Sequence, residues 1–298
     1  MKVGDGDWGG WYRNLIAFMR SLQKRVNLEF GACLPVVIAK MKWFLILLAV
    51  SCVFAGCATR SPTTLRVMSY NIHHGEGMDG KVDLERIAGI IMQEGVDIVA
   101  LQEVDRGVER SGRRDIPEEL AKLTGMRSFF DRNITFQGGD YGNAVLTRFP
   151  VLQQTNTHLR MLRPNEQRGV IQMVLKVQGR KLLFLNTHID HRPDDSERLK
   201  NVEQFQQILE EYPGMPVIFC GDFNSIPGSR THTQMKRLLI DSWEEAGQGN
   251  GFTFPADKLN RRIDYLWISP GSVKPLKIHV PQTLASDHLP LVGTFQID

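Results

Sequence analysis

The sequence is short of several things. Cysteine occurs four times in 298 residues, at Cys33, Cys52, Cys57 and Cys220. That is too few and too scattered for a disulfide framework or a cysteine zinc site. Neither charge sign dominates, with 36 Lys and Arg against 33 Asp and Glu. There is no low-complexity tract, no internal repeat and no apolar run of the roughly 20 residues that a membrane-spanning helix needs. With 27 Gly, 14 Pro and a hydrophobic fraction of 42%, wholesale disorder, collagen-like repetition and a multi-span membrane protein are excluded. The length suits one large or two small domains with a sizeable core.

The apolar run 43–54 follows Met41-Lys42 and ends in Ala55-Gly56-Cys57. A short cationic start, an apolar middle and small residues are the anatomy of a secretory signal; a buried apolar helix is the other reading. Phe54-Ala55-Gly56-Cys57 also resembles a bacterial lipobox, with Phe where Leu is usual. The resemblance implies lipid on Cys57 and an extracytoplasmic, lipid-anchored place in the cell envelope. Ala58, not Asp, after the cysteine hints toward the outer membrane. Since a signal should begin the chain, residues 1–40 read as an upstream extension, 41–56 as the signal, 57–64 as a tether and 65–298 as one domain.

Residues 1–56 carry seven Lys and Arg and three Asp and Glu, so the remainder has 29 basic and 30 acidic residues, formally −1. A protein that grips duplex nucleic acid through many phosphates shows a basic surplus. No sequence-specific nucleic-acid binding is therefore expected, and a monomer is. Cys220, in Val217-Ile218-Phe219-Cys220, reads as a buried thiol.

Residues 65–71 alternate as a strand. Leu84, Ile87, Ala88 and Ile91 fall at helical spacing, so 83–94 reads as an amphipathic helix with Asp83 as its N-cap. Further strands are expected over 96–104, 142–147, 169–177, 181–187, 217–220, 262–269 and 289–295, with 169–187 as a hairpin. Helices are expected over 117–123, 194–211 and 231–240. Strands and helices alternate without a strict βαβ rhythm. That favours an α/β class: a layered α/β/β/α sandwich, two packed mixed β-sheets flanked by helices.

Strand after strand ends in polar residues: Tyr70-Asn71, Gln102-Glu103, Asn186-Thr187-His188, Gly221-Asp222-Phe223-Asn224 and Ser286-Asp287-His288. Phosphate-ester hydrolysis needs charge neutralisation, an activated water and a stabilised leaving oxygen. Asn71, Glu103 and Asp287 are suitable oxygen donors for Mg²⁺. His188 and His288 can move protons or donate to phosphate oxygens. Asp264 either orients one of them or pairs with Arg261 or Arg262.

These stretches, with Tyr141-Gly142-Asn143-Ala144 and Arg262-Ile263-Asp264-Tyr265, resemble the endonuclease/exonuclease/phosphatase superfamily, in family order across 65–298. The resemblance implies a Mg²⁺-dependent phosphoesterase, with Mn²⁺ as an alternative ion. It implies Glu103 as main metal ligand with Asn71 and Asp287 beside it. Asp222 and Asn224 would position water or phosphate, His288 with Asp264 would act as base or phosphate donor, and His188 would contact the phosphate or leaving group. Asn143, Arg168 and His73 are candidate substrate contacts; a turn amide, an ion pair and a surface histidine are their respective alternatives. Arg106, Arg110, Arg113 and Arg114 read as a solvated loop sooner than as an anion site. The substrate class stays open, nucleic acid included, and a non-catalytic phosphate- or lipid-binding module is the competing function.

Overall fold

The computed structural model describes residues 63–297, together with residues 17, 18 and 20. The signal at 41–56 and Cys57 lie outside the described residues, as does most of the segment 1–40. Among the described residues no helix is long and apolar enough to cross a membrane.

Two six-stranded sheets form the molecule's centre. In the first, β1 (Thr63–Asn71) lies parallel to β2 (Ile98–Arg106), and this pair is flanked by β12 (Leu291–Ile297) and β11 (Val273–His279) on one side and by β4 (Gly139–Thr147) and β3 (Arg127–Phe136) on the other. In the second, β7 (Arg180–His188) lies parallel to β8 (Val217–Asp222), flanked by β6 (Gly169–Val177) and β5 (Val151–His158), and by β10 (Asp264–Ile268) and β9 (Ile240–Asp241). Every other neighbouring pair is antiparallel, so both sheets are mixed and each has one parallel pair at its middle.

Side chains on a strand alternate between faces, and here each face has a partner. Leu65 and Val67 of β1 meet Phe184 of β7 and Ile218 of β8 in the core between the sheets. Met68 and Tyr70 point the other way, onto Leu84, Ile87 and Ile91 of α1 (Leu84–Glu94) and Leu120 of α2 (Ile116–Thr124). Leu183 and Phe219 point outward in the second sheet, onto Val202, Phe205 and Ile208 of α3 (Ser196–Glu210) and Met235 of α4 (Arg230–Met235). The layers are therefore α/β/β/α, as the sequence suggests. Burying each such aliphatic side chain contributes about 1.5–3 kcal/mol.

The helix ends follow local chemistry. Asp83 accepts from the Arg86 N–H at 3.0 Å, and Gly95 leaves α1 in the left-handed region at φ 57. Several expectations are corrected. β1 includes Thr63 and Thr64, ahead of the strand start expected at 65, because they pair with Ile297 and Gln296. The helix expected over 231–240 stops at Met235, since Ile240 is claimed by β10 through Ile268. On α3, Leu199 and Leu209 are half-buried while Glu197, Asn201 and Gln204 are buried. That polar stripe receives the loop before β6: Glu197 accepts from the Leu162 N–H at 3.0 Å, and Gln204 from the Arg160 N–H at 2.7 Å.

Candidate active site

At one end of the sandwich the inward rows change from apolar to polar. β7 reads Leu182, Phe184, Asn186, His188; β8 reads Ile218, Cys220, Asp222; β10 read backwards gives Ile268, Leu266, Asp264. Register puts His188, Asp222 and Asp264 at one level on three adjacent strands. From the other sheet, Leu65, Val67 and Ser69 lead to Asn71. Below this level Asn186 ties the sheets together, donating to the carbonyls of Leu101 at 2.9 Å and Ala144 at 2.8 Å and accepting from Gln102 Nε2 at 2.8 Å.

Glu103 reaches the site through an irregularity. Ile98, Ala100 and Gln102 face inward, so plain alternation sends Glu103 outward. Instead the register against β4 shifts between Leu101 and Val104, and Glu103 takes φ 57. Bulges beside functional sites re-aim side chains in this way. Asn71 Nδ2 then donates to Glu103 Oε1 at 2.8 Å and to Asp222 Oδ2 at 3.1 Å. Asn71 Oδ1 accepts from the His73 N–H at 3.1 Å. In this orientation Asn71 Nδ2 positions the two carboxylates.

His288 Nδ1 lies 2.9 Å from Asp264 Oδ2, and its Nε2 lies 3.6 Å from Asp222 Oδ2. Burial opposes a charge on this imidazole, but the carboxylates of Asp264 and Asp222, the Asp264 hydrogen bond and Asp287 outweigh it and raise its pKa to about 10. Burial, reinforced by the charge of Asp264, raises Asp222 to about 7. Burial also pushes His188 well below the usual histidine value, helped by the cations around Arg168. His188 Nε2 lies 3.1 Å from Asn224 Nδ2, and the Asn224 N–H donates to Asp222 Oδ1 at 2.9 Å. A neutral imidazole, a charged one and a carboxyl poised near neutrality thus share one corner. Environments that push pKa values apart sort acids from bases.

A cleft of about 360 Å³ opens over this corner, lined by Glu103, His188, Asp222, Asn224, Asp287 and His288. Glu103 and Asp287 supply hard carboxylate oxygens to it, a donor set that fits Mg²⁺ better than a soft ion. Arg168 lines the cleft too; it is 5% exposed and ion-paired with Glu166 at 2.8 Å. Asn143, a candidate substrate contact in the sequence, is buried, and its Nδ2 donates across the sheets to the Gly169 carbonyl at 3.4 Å. Asp264 pairs with His288 and not with Arg262, which donates to Asp241 Oδ2 at 2.7 Å.

Of the cleft residues, Phe136, Phe254 and Glu166 carry no site signal in the sequence, while His191 reads there as a cleft-wall or a surface histidine. Tyr141, Phe136 and Phe254 form an aromatic wall, and Glu166, His191 and Arg110 line the rim. Arg110, expected in a solvated loop, binds Asp105 through two bonds of 2.9 Å. Asp105 and Glu109 of the same stretch pair with Arg110 and Arg113, and Asp140 and Glu119 from outside it pair with Arg106 and Arg114. No pattern signals Phe136, because β3 alternates weakly and is only partly buried.

Residues 68–288 match the model of the Endonuclease/Exonuclease/phosphatase family. The chain is 26% identical over 243 residues to the protein YbhP of Escherichia coli, covering 76% of this chain and 94% of YbhP. It is 27% identical over 199 residues to the 5′-tyrosyl-DNA phosphodiesterase of Caenorhabditis elegans, covering 64% of this chain and 51% of that protein. Among solved structures, the endonuclease/exonuclease/phosphatase from Beutenbergia cavernae superposes with a TM-score of 0.68 at 23% identity, covering 79% of this chain and 72% of that one, a likeness of fold.

Proposed function

Because the chain belongs to the endonuclease/exonuclease/phosphatase family, we propose that it is a Mg²⁺-dependent phosphoesterase of the cell envelope, hydrolysing small phosphodiesters or phosphomonoesters. One observation carries this reading: Glu103, His188, Asp222, Asn224, Asp287 and His288 line a single cleft, with Asp264 bonded behind His288. A buried carboxyl raised toward neutrality, 3.5 and 3.6 Å from two imidazoles, favours proton transfer over mere binding.

Glu103 and Asp287 would hold Mg²⁺, which when bound neutralises charge on the phosphate oxygens. The chain's own groups divide the remaining work. Asp222 accepts the proton of the attacking water; the Asn224 N–H and Asn71 Nδ2 hold its two oxygens in place. His288, kept charged by Asp264, donates from Nε2 to a phosphate oxygen. Neutral His188, whose Nε2 faces the Asn224 amide, has Nδ1 for the phosphate or the leaving oxygen. The aromatic wall of Tyr141, Phe136 and Phe254 receives the rest of the substrate.

The test is Mg²⁺-dependent release of p-nitrophenol from bis(p-nitrophenyl) phosphate. Glu103→Ala and His288→Ala are each expected to lower kcat at least about 100-fold. Turnover that persists in EDTA, or that survives both substitutions, defeats the reading. The envelope location rests on the Phe54-Ala55-Gly56-Cys57 pattern. Labelled palmitate should enter the protein expressed in a bacterial host and be absent from Cys57→Ala; label in both removes the anchor from the proposal.

A further inference from the structure

Glu103 has a second set of neighbours that the hydrolytic chemistry leaves idle. His73, His74 and Glu103 each present one ligand atom, and the three atoms lie within 4.8 Å of one another. The two histidines form a short 3₁₀ turn, His73–Gly75, directly after β1. Their rings meet edge to face with centroids 4.4 Å apart.

Backbone strain gathers at the same three residues. His73, His74 and Glu103 sit at φ 44, 47 and 57, in the left-handed region. Non-glycine residues there cost about 1–3 kcal/mol each and persist where the surroundings enforce them, commonly at ligand sites. The side chains also have the partners that ligands need. His74 is 5% exposed, and its Nε2 lies 3.5 Å from Glu76 Oε2 while its Nδ1 has no hydrogen-bond partner. A metal-binding imidazole is typically held this way, one nitrogen on a carboxylate and the other free for the ion. The His73 N–H is fixed by Asn71 Oδ1. The cation bearing on His74 is Arg110, and its charge is taken up by Asp105.

We propose that His73, His74 and Glu103 form a second cation site, for a divalent ion of borderline softness such as Zn²⁺ or Fe²⁺. Two imidazoles and one carboxylate suit such ions, whereas Mg²⁺ prefers oxygen alone. Bonds of about 2.0–2.1 Å set ligand atoms of a tetrahedral ion about 3.4 Å apart, so the triad has at most about 1.4 Å to close on loading. The site rests on the hydrolytic reading only in that Glu103 serves both ions. Three protein ligands leave open positions on the second ion, as catalytic rather than structural sites do.

Co²⁺ titration of chelator-stripped protein, followed by the d–d absorption of the bound ion, tests the proposal. The wild-type chain should take up two equivalents: one displaced by excess Mg²⁺ and one that resists it. His73→Ala and His74→Ala should each weaken the Mg²⁺-resistant equivalent by more than about 100-fold, since loss of an outer partner alone costs 10–100-fold. Both should keep the displaceable equivalent. A wild-type chain with no Mg²⁺-resistant equivalent overturns the site, and so does a His73→Ala chain that keeps it undiminished while KM rises. His73 is half-buried, so that variant decides the matter even if buried His74 proves necessary for folding. Absence of only the displaceable equivalent counts against the Mg²⁺ site of the hydrolytic reading and leaves this one standing.

Discussion

Asp222 is where the site draws on the stability of the protein. Its carboxyl is raised to about 7 by burial and by Asp264, against about 3.9 in an unfolded chain. A group whose pKa rises on folding resists ionisation in the native state. Its effect is therefore nil below about pH 3.9, and stability is lost as pH climbs from there through about 7. His288 works in the opposite sense. Held near 10 chiefly by Asp264 and Asp222 against its own burial, it contributes fully below about pH 6.5 and loses that contribution as pH rises through 10. Asp222→Asn keeps the shape and removes the charge, but its amide can accept at only one of the two positions filled by the Asn224 N–H and Asn71 Nδ2. Relative to wild type, its stability in the metal-free protein should therefore rise by about 1–3 kcal/mol from pH 4 to pH 8. The gain is trimmed because His288 loses one of its three counter-charges. Calorimetric melting at the two pH values checks this, and turnover of the variant should collapse. An equal shift at both pH values would mean that the Asp222 charge is not what the fold tolerates at a cost.

At the scale of elements, the site depends on how closely β7 and β8 lie. A Cβ added to Gly221 would sit 2.3 Å from the Thr187 carbonyl oxygen and 3.1 Å from its carbon. Gly221 and Thr187 are register partners, one step below Asp222 and His188. Gly221→Ala must therefore push the strands apart at the level that sets the His188–Asp222 approach, 3.5 Å between Nε2 and Oδ2. Overpacking of this kind costs about 1–3 kcal/mol. The expected result is a lower denaturation midpoint with a loss of kcat out of proportion to the change in KM; unchanged kcat would show that the spacing is not critical. The same elements explain what the sequence could and could not reveal. α1 was legible because Leu84, Ile87, Ala88 and Ile91 fall on one face and Asp83 and Gly95 mark its ends. The inward polar rows were legible because period-two alternation carries Leu182 and Phe184 on to Asn186 and His188. β3, β5 and β11 were not, since their faces are largely half-buried or exposed and no clear alternation survives. Nor was the aim of Glu103, which a bulge decides, or the depth of Asn143, which depends on the second sheet.

At the scale of the whole molecule, charge bears on the substrate. Residues 57–298 carry 29 basic and 30 acidic side chains, and the two arginines that line the cleft are already engaged, Arg110 with Asp105 and Arg168 with Glu166. A protein that grips nucleic acid by neutralising 6–10 phosphates loses about 10³–10⁵ in affinity between 50 and 200 mM salt. A site that engages a single phosphate, with slope near −0.9, loses only about three- to four-fold over the same range. Of the described residues, the two arginines that line the cleft offer no spare charge to a second phosphate along a strand. Hydrolysis of bis(p-nitrophenyl) phosphate and of a short oligonucleotide should therefore show the same shallow dependence of kcat/KM on salt at fixed Mg²⁺. A steep loss confined to the oligonucleotide would reveal an extended track of phosphate contacts beyond the cleft. It would reassign the enzyme from small esters to nucleic acid, with the chemistry at Asp222 and His288 unchanged.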